Sequence, residues 1–388
     1  MRNTIAIMNT KGGVGKSTIV LAVAETLAAF HGKNVLVIDS DSQASVSAML
    51  MSTTSLRKLQ SDGRTIVDYL VSVVLRNAAV EWTDFVVGGV SDIDDAKTVY
   101  LIPSDMQLTL FEREVSKESQ HASLRAAISG LLSRARIVFD VVLIDCPPGL
   151  SVLTESWLRE ADFHISPTKP DYISVCGLDV FRRFKSLNPE MGFAENLGVV
   201  INMKDRTSPA DDEYHRWLAE NAENRCFVQV LPRLNALQHA ARYHVEDRSF
   251  AAKYPGEIGH AIRGLVEEVL SRLDDANLGA AANVAPEATA RPAASAPPPP
   301  AAAAVSSTPA TEPTGRPAAP ANPVSLQPPV AKAEGSVAQV ATPVSVPPPL
   351  KSAPPPPPVA ATMPQTPPTK PVNGQPVLPP PTPPRVMR

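Results

Sequence analysis

The chain has 388 residues, of which 44% are hydrophobic and 5% aromatic, with 41 prolines, three cysteines and a formal net charge of −3. Such a length accommodates two or three domains. Cys146, Cys176 and Cys226 lack C-x-x-C spacing, which excludes a disulfide framework and a zinc site, and no apolar run reaches the roughly 18 residues of a membrane span.

The first predicted element is a buried strand over Thr4 to Met8, a short apolar run. It leads into Lys11-Gly12-Gly13-Val14-Gly15-Lys16-Ser17-Thr18, a variant of the phosphate-binding loop G-x-x-x-x-G-K-[ST], since Thr10 stands where the first glycine would be. Glycines let backbone N–H groups face phosphate oxygens with no Cβ in the way. Lys16 is placed to reach the β- and γ-phosphates, and the Ser17 hydroxyl can bind Mg²⁺. Lys11 is surplus to that loop within one subunit, but it could reach a phosphate held by a partner subunit.

A helix from Ser17 to Phe30 follows, rich in Ala, Leu and Val and stopped by His31-Gly32. A second buried strand, Asn34 to Ile38, ends in Asp39. Strand, loop, helix and strand form one βαβ unit with the phosphate at the helix N-terminus. In Asp39-Ser40-Asp41-Ser42-Gln43, two carboxylates sit just past a strand end, in the crevice where ligands bind in open α/β sheets. One could touch the metal's water shell and the other orient an attacking water; an Asp/Ser helix cap is the alternative, and both can hold at once. A third strand, Val138 to Ile144, ends in Asp145-Cys146-Pro147-Pro148-Gly149, and an acid there is the usual partner of the loop serine for Mg²⁺. A strand over Leu197 to Ile201 precedes Asn202, and the last predicted helix, Ile258 to Leu273, is amphipathic with a mixed-charge polar face. That face lacks the basic character of a membrane-surface helix.

Composition breaks near residue 276: 32 of the 41 prolines lie in the remaining 112 residues, and no aromatic residue follows Tyr254. Such a segment buries too little apolar surface to offset its ordering entropy. We expect one globular domain over 1–274 and a disordered Pro/Ala-rich tail over 275–388, stiffened by its proline runs. The tail is net positive by about four charges, leaving the globular part near −7, a balance that lends no support to DNA binding except through a local patch. Met1-Arg2-Asn3 leads straight into the first strand, so the expected location is the cytoplasm.

The loop, the Asp39–Gln43 run and the Asp145–Gly149 run together resemble the ParA/MinD group of deviant-Walker P-loop ATPases, most closely ParA. Leu101-Ile102-Pro103-Ser104, Ala161-Asp162 leading to Ser166-Pro167-Thr168, and Val230-Leu231-Pro232-Arg233 extend the resemblance over about residues 1–274. It implies an α/β fold, a mainly parallel twisted sheet with helices on both faces. It also implies ATP and Mg²⁺ as ligands, ATP-driven formation of a sandwich homodimer, and slow hydrolysis stimulated by a ParB-like or other partner. Lys11 then reaches across to the partner's nucleotide and Lys16 binds phosphate in cis. Asp41 activates water, Asp39 and Asp145 join Ser17 in the Mg²⁺ shell, and Asn202 contacts adenine. The nucleotide contacts as a whole fall on Lys11, Gly12, Gly13, Val14, Gly15, Lys16, Ser17, Thr18 and Asn202.

The implied function is ATP-dependent binding of nonspecific DNA, on the nucleoid, used for plasmid or chromosome partition or for positioning a protein cargo. Many relatives carry an arginine where this chain has Ala236; nearby DNA candidates are Lys204, Arg206, Arg216, Arg233 and Arg242. Two other roles compete. One is a regulatory or assembly ATPase acting through protein partners without DNA, as in polysaccharide secretion, with the tail recruiting proline-reading partners. The other is MinD-like positioning at a membrane, against which the last helix's polar face counts.

Overall fold

The computed structural model describes residues 2–284, so the expected tail lies outside the described residues from 285 onward, while 275–284 are helical. Seven strands form one sheet: β1 (Thr4–Ile7), β2 (Val35–Asp39), β3 (Val87–Gly88), β4 (Val99–Ile102), β5 (Val141–Asp145), β6 (Phe163–Thr168) and β7 (Glu195–Ile201). Their order is β3-β4-β2-β5-β1-β6-β7. All pairings are parallel except β3 with β4 at one edge, where an antiparallel strand closes an otherwise parallel sheet. The chain order reverses between β2 and β1, with β5 between them, so the C-terminal ends of these three strands flank the crevice where ligands bind in open α/β sheets.

Helices follow in chain order as α1 (Lys16–His31), α2 (Ser45–Leu50), α3 (Thr53–Ser61), α4 (Ile66–Leu70), α5 (Leu108–Val115) and α6 (Glu118–Val138), then α7 (Val152–Glu160), α8 (Tyr172–Leu187), α9 (Pro209–Glu220), α10 (Asn235–Ala240), α11 (Phe250–Lys253) and α12 (Glu257–Val284). Strand residues alternate between two cores, as a period of two requires. Ile5, Ile7, Val35, Val37 and Leu143 pack with α1, α2 and α12 on one side. Ala6, Met8, Leu36, Ile38 and Ile144 pack with α4 to α7 on the other. Helix α1 ends as expected: Gly32 adopts a left-handed φ of 57° and its N–H bonds to the Leu27 carbonyl.

Two predicted elements differ. Val138, expected to open a strand, is instead the last residue of the 21-residue helix α6, and β5 starts at Val141. The run 137–144, apolar apart from Asp140, therefore divides between two elements, with Ile137 and Val138 exposed at the helix end. The last helix runs past Asp274 and Asp275 to Val284. Asn277 holds that extension: its Nδ2 donates to the Arg2 carbonyl and its Oδ1 accepts from the Arg2 N–H. The buried face of α12 (Ile258, Ile262, Leu265, Val266, Val269, Leu273) belongs to the main core, so its apolar stripe covers the sheet.

A buried ionic cluster joins α1 to the segment before α12. Lys253 Nζ lies 2.7 Å from Glu25 and 2.6 Å from Asp92, all three side chains fully buried. Tyr254 and Ser91 donate to Glu25 as well, each at 2.7 Å, and Arg248 completes the shell of Asp92 at 2.9 Å.

Candidate functional site

The phosphate loop is braced at both ends by asparagines. Asn9 Nδ2 donates to the Pro167 carbonyl at 2.7 Å and to Thr168 Oγ1 at 3.1 Å, while its Oδ1 accepts from the Lys11 N–H. This gives the Ser166-Pro167-Thr168 segment a local reason: it anchors the loop's entry. Asn202, fully buried, donates Nδ2 to the Val14 carbonyl at 2.8 Å and accepts from the Met203 N–H at 2.9 Å. Gly15 has a φ of 89°, and a Cβ there would lie 2.3 Å from Asn202 Nδ2, so only glycine lets the loop lie on this strut. The Asn202 N–H therefore holds the loop, while its oxygen fixes the neighbouring Met203 N–H.

Around the loop's exit, Lys16 is buried beside the ends of β2 and β5. Burial pushes its pKa down, and Asp145 and then Asp41 pull it back. Asp145 is fully buried and neither of its carboxylate oxygens has a hydrogen-bond partner. Its pKa is driven well above the usual carboxylate range, first by burial and then by Asp39. The Ser17 hydroxyl and Lys16 oppose that rise, the hydroxyl without a hydrogen bond of ordinary geometry. An unpartnered buried carboxylate beside a hydroxyl and an ammonium suits a hard divalent cation accompanied by phosphate oxygens.

Asp39 has other work. Its Oδ1 accepts from the Asp41 N–H at 3.1 Å, and its Oδ2 accepts from the Ser47 N–H at 2.9 Å and the Ser47 hydroxyl at 2.6 Å. Burial raises it to about 6 against those hydrogen bonds. It fastens the turn carrying Asp41 to α2, which leaves Ser17 and Asp145 as the better-placed metal-shell pair. Ser47 in turn accepts from the Ser104 N–H at 3.1 Å, which accounts for the Leu101–Ser104 segment. Asp41, 8% exposed, accepts from the Gln43 N–H with one oxygen.

Lys11 does not lie with Lys16. Its ammonium contacts Asp171 Oδ1 at 3.1 Å, Asp171 Oδ2 at 3.3 Å and Ser174 Oγ at 3.0 Å, at the start of α8. A cavity of about 370 Å³ opens beside the loop, lined by Gly13, Thr18, Met203, Pro232, Arg233 and Leu237 among others. Of the five basic DNA candidates, Arg233 thus faces the loop cavity. Lys204 is paired with Asp212 at 2.7 Å and lies 3.0 Å from His215 Nδ1, and Arg206 is paired with Glu257. Arg216 and Arg242 are exposed and have no ion-pair partner among the described residues. Ala236 is half-buried and packs on the main core, so that position serves packing here.

Ser47, Asp171 and Ser174 were not marked by any motif; Asp171 and Ser174 contact the loop across about 160 residues of chain. Among the described residues no group of three or more His, Cys, Asp or Glu side chains is arranged to hold a metal unaided. No helix among them is long and apolar enough to cross a membrane.

A family model described as an AAA domain matches residues 2–191. The chromosome partitioning protein ParA of Caulobacter vibrioides is 29% identical over 284 residues, covering 71% of this chain and 97% of that protein. Among solved structures, cobyrinic acid a,c-diamide synthase from Mycobacterium smegmatis, with bound ADP and magnesium, superposes with a TM-score of 0.55 at 23% identity, over 71% of this chain and 97% of that one. The ParA of pNOB8 bound to nonspecific DNA gives 0.52 at 21% identity, over 71% and 99%. In sequence the chain is similar to a chromosome-partitioning ParA along almost that protein's full length, and in fold to a second ParA.

Proposed function

We propose that the chain is a nucleotide-operated switch in which ATP with Mg²⁺ closes a homodimer, the dimer binds nonspecific DNA, and a ParB-like or other partner stimulates hydrolysis and release. The observation that carries this reading is the division of the two loop lysines. Lys16 is buried against Asp145 and Asp41, whereas Lys11 lies outside that group at the loop mouth. A single-subunit phosphate site needs only the first.

In the proposed cycle the loop N–H groups and Lys16 hold the phosphates, and the cavity walled by Met203, Pro232 and Leu237 takes the base. Ser17 and Asp145 would hold the cation, which when bound offsets charge on the phosphate oxygens. Asp41 orients the attacking water and accepts its proton. Lys11 contacts the phosphates of the partner subunit. The ATPase domain begins at residue 1 and includes α12 to Val284, ten residues beyond the expected boundary at 274, with the Pro/Ala-rich tail after it, and the protein works in the cytoplasm, on the nucleoid. Support for DNA binding comes from the ParA of pNOB8, whose structure is of a complex with nonspecific DNA.

The test is a DNA-binding titration of Asp41→Ala with ATP, with ADP and without nucleotide, at two salt concentrations. Binding that requires ATP and weakens steeply with salt supports the switch. An intact ATP dimer with no DNA affinity would refute it.

That second outcome belongs to a rival reading, a regulator acting on protein partners. The pairing of Lys204 and Arg206 with carboxylates and the packing role of Ala236 favour it, since they remove positive charge from the expected patch.

A further inference from the structure

We propose that Asp171 and Ser174 are positioning residues for Lys11, holding it within its own subunit and so setting how much nucleotide is needed to close the dimer. The proposal rests on the cross-subunit role given to Lys11 above. An ammonium has three hydrogens, and Lys11 meets three oxygens: Asp171 Oδ1 at 3.1 Å, Asp171 Oδ2 at 3.3 Å and Ser174 Oγ at 3.0 Å. A lysine so engaged cannot also meet a phosphate of another subunit, so the cis contacts must break before the trans contact forms.

The acceptor side is held firmly. Asp171 is the N-cap of α8 and accepts from the Ser174 N–H at 2.8 Å, which fixes its carboxylate. Thr10 donates to the Gly177 carbonyl at 2.9 Å, and a Cβ at Gly177 would lie 2.8 Å from Thr10 Oγ1. The glycine lets α8 lie directly on the loop's entry, so the latch and the loop share one rigid contact. The same carboxylate neutralises Lys11 while no phosphate is present to do so.

The lysine and aspartate side chains are 27% and 43% exposed, so solvent screens the pair and the effect is modest. The assay is sedimentation of the full chain against increasing magnesium and a non-hydrolysable ATP analogue, reading the concentration at which half the protein is dimeric. Asp171→Asn keeps a cap oxygen for the Ser174 N–H but removes the charge, and it should lower that midpoint by about two- to fivefold. Ser174→Ala, which deletes one contact and leaves the charge, should shift it the same way by less. Lys11→Ala should stay monomeric, and Lys11→Ala/Asp171→Asn should stay monomeric too.

Unchanged midpoints in both Asp171→Asn and Ser174→Ala would overturn the latch while leaving the cross-subunit role intact. Recovery of dimer in the double variant would also overturn it, because Asp171 would then act by repelling the partner directly. If Lys11→Ala dimerised like the wild type, the cross-subunit role itself would fall, and the latch with it.

Discussion

Replacing Asn202 by alanine isolates the strut under the phosphate loop. The side chain makes two hydrogen bonds, from Nδ2 to the Val14 carbonyl at 2.8 Å and to Oδ1 from the Met203 N–H at 2.9 Å, and it is fully buried. Truncation leaves the buried Val14 carbonyl and the Met203 N–H without these partners, a loss of about 3 kcal/mol in all. If half of that loss falls on the loop's bound geometry, nucleotide affinity drops about tenfold, since 1.4 kcal/mol is a factor of ten. Urea unfolding measures the first quantity and equilibrium binding of a fluorescent ATP analogue the second. Asn202→Asp sharpens the test: it keeps the acceptor for Met203 but sets an oxygen against the Val14 carbonyl, so it should cost at least as much as alanine. An alanine variant within about 0.5 kcal/mol of the parent, the scatter of a neutral surface change, with unaltered nucleotide affinity, would refute the strut.

Lys16→Ala should weaken ATP binding by at least roughly thirtyfold, because it removes the cation shared by the phosphates and two carboxylates; isothermal titration reads this directly. Asp41→Ala should slow turnover by about a hundredfold or more while the ATP dimer accumulates, seen as a persistent dimer by light scattering long after the wild type has relaxed. His164 makes stability fall as pH falls, in the same direction as a salt-bridged acid, but because burial keeps its imidazole neutral. Burial, and then Lys185, lower its pKa to about 3, so the unfolded chain binds a proton below about pH 6.5 that the folded chain does not. Its contribution is intact above pH 6.5 and is lost as pH falls toward 3, amounting to about 2 kcal/mol at pH 5. His164→Gln should therefore lose less stability than the wild type between pH 7.5 and 5 in parallel urea titrations; equal losses would exclude a neutral buried imidazole.

Much of this arrangement was legible in the sequence for identifiable reasons. The carboxylates Asp39 and Asp145 follow four-residue runs that are apolar at every position, which is what a parallel strand covered on both faces requires. Gly15 and Gly32 mark positions whose backbone needs a positive φ. The misplaced start of the third predicted strand has an equally plain cause: an apolar run has no period, so Ile137 and Val138 could belong to a helix or to a strand. The predicted last helix ended at Leu273, yet the contact between Asn277 and Arg2 that carries α12 onward joins residues 275 apart. The turn geometry hid the work of Asp39, whose oxygens are taken by Asp41 and Ser47, and long separation hid the fate of Lys11, which depends on where α8 begins. Local pattern names the residue types of a site; which oxygen they face is decided by packing.

The cluster of Glu25, Lys253 and Asp92 has a bearing on the order in which the protein can be made. Glu25 lies in α1, and its cation arrives 228 residues later. Until Lys253 emerges, seating α1 in its final position would bury a carboxylate with no counter-charge, at a cost of several kcal/mol. Burial already drives the Glu25 pKa upward in the finished fold, where the lysine is present. The nascent βαβ unit therefore keeps that carboxylate hydrated, and α1 closes onto the sheet only after α11 has been synthesised. A phosphate loop at the head of α1 thereby gains its final shape late in synthesis, so a chain interrupted before residue 253 does not present a finished nucleotide site to its partners.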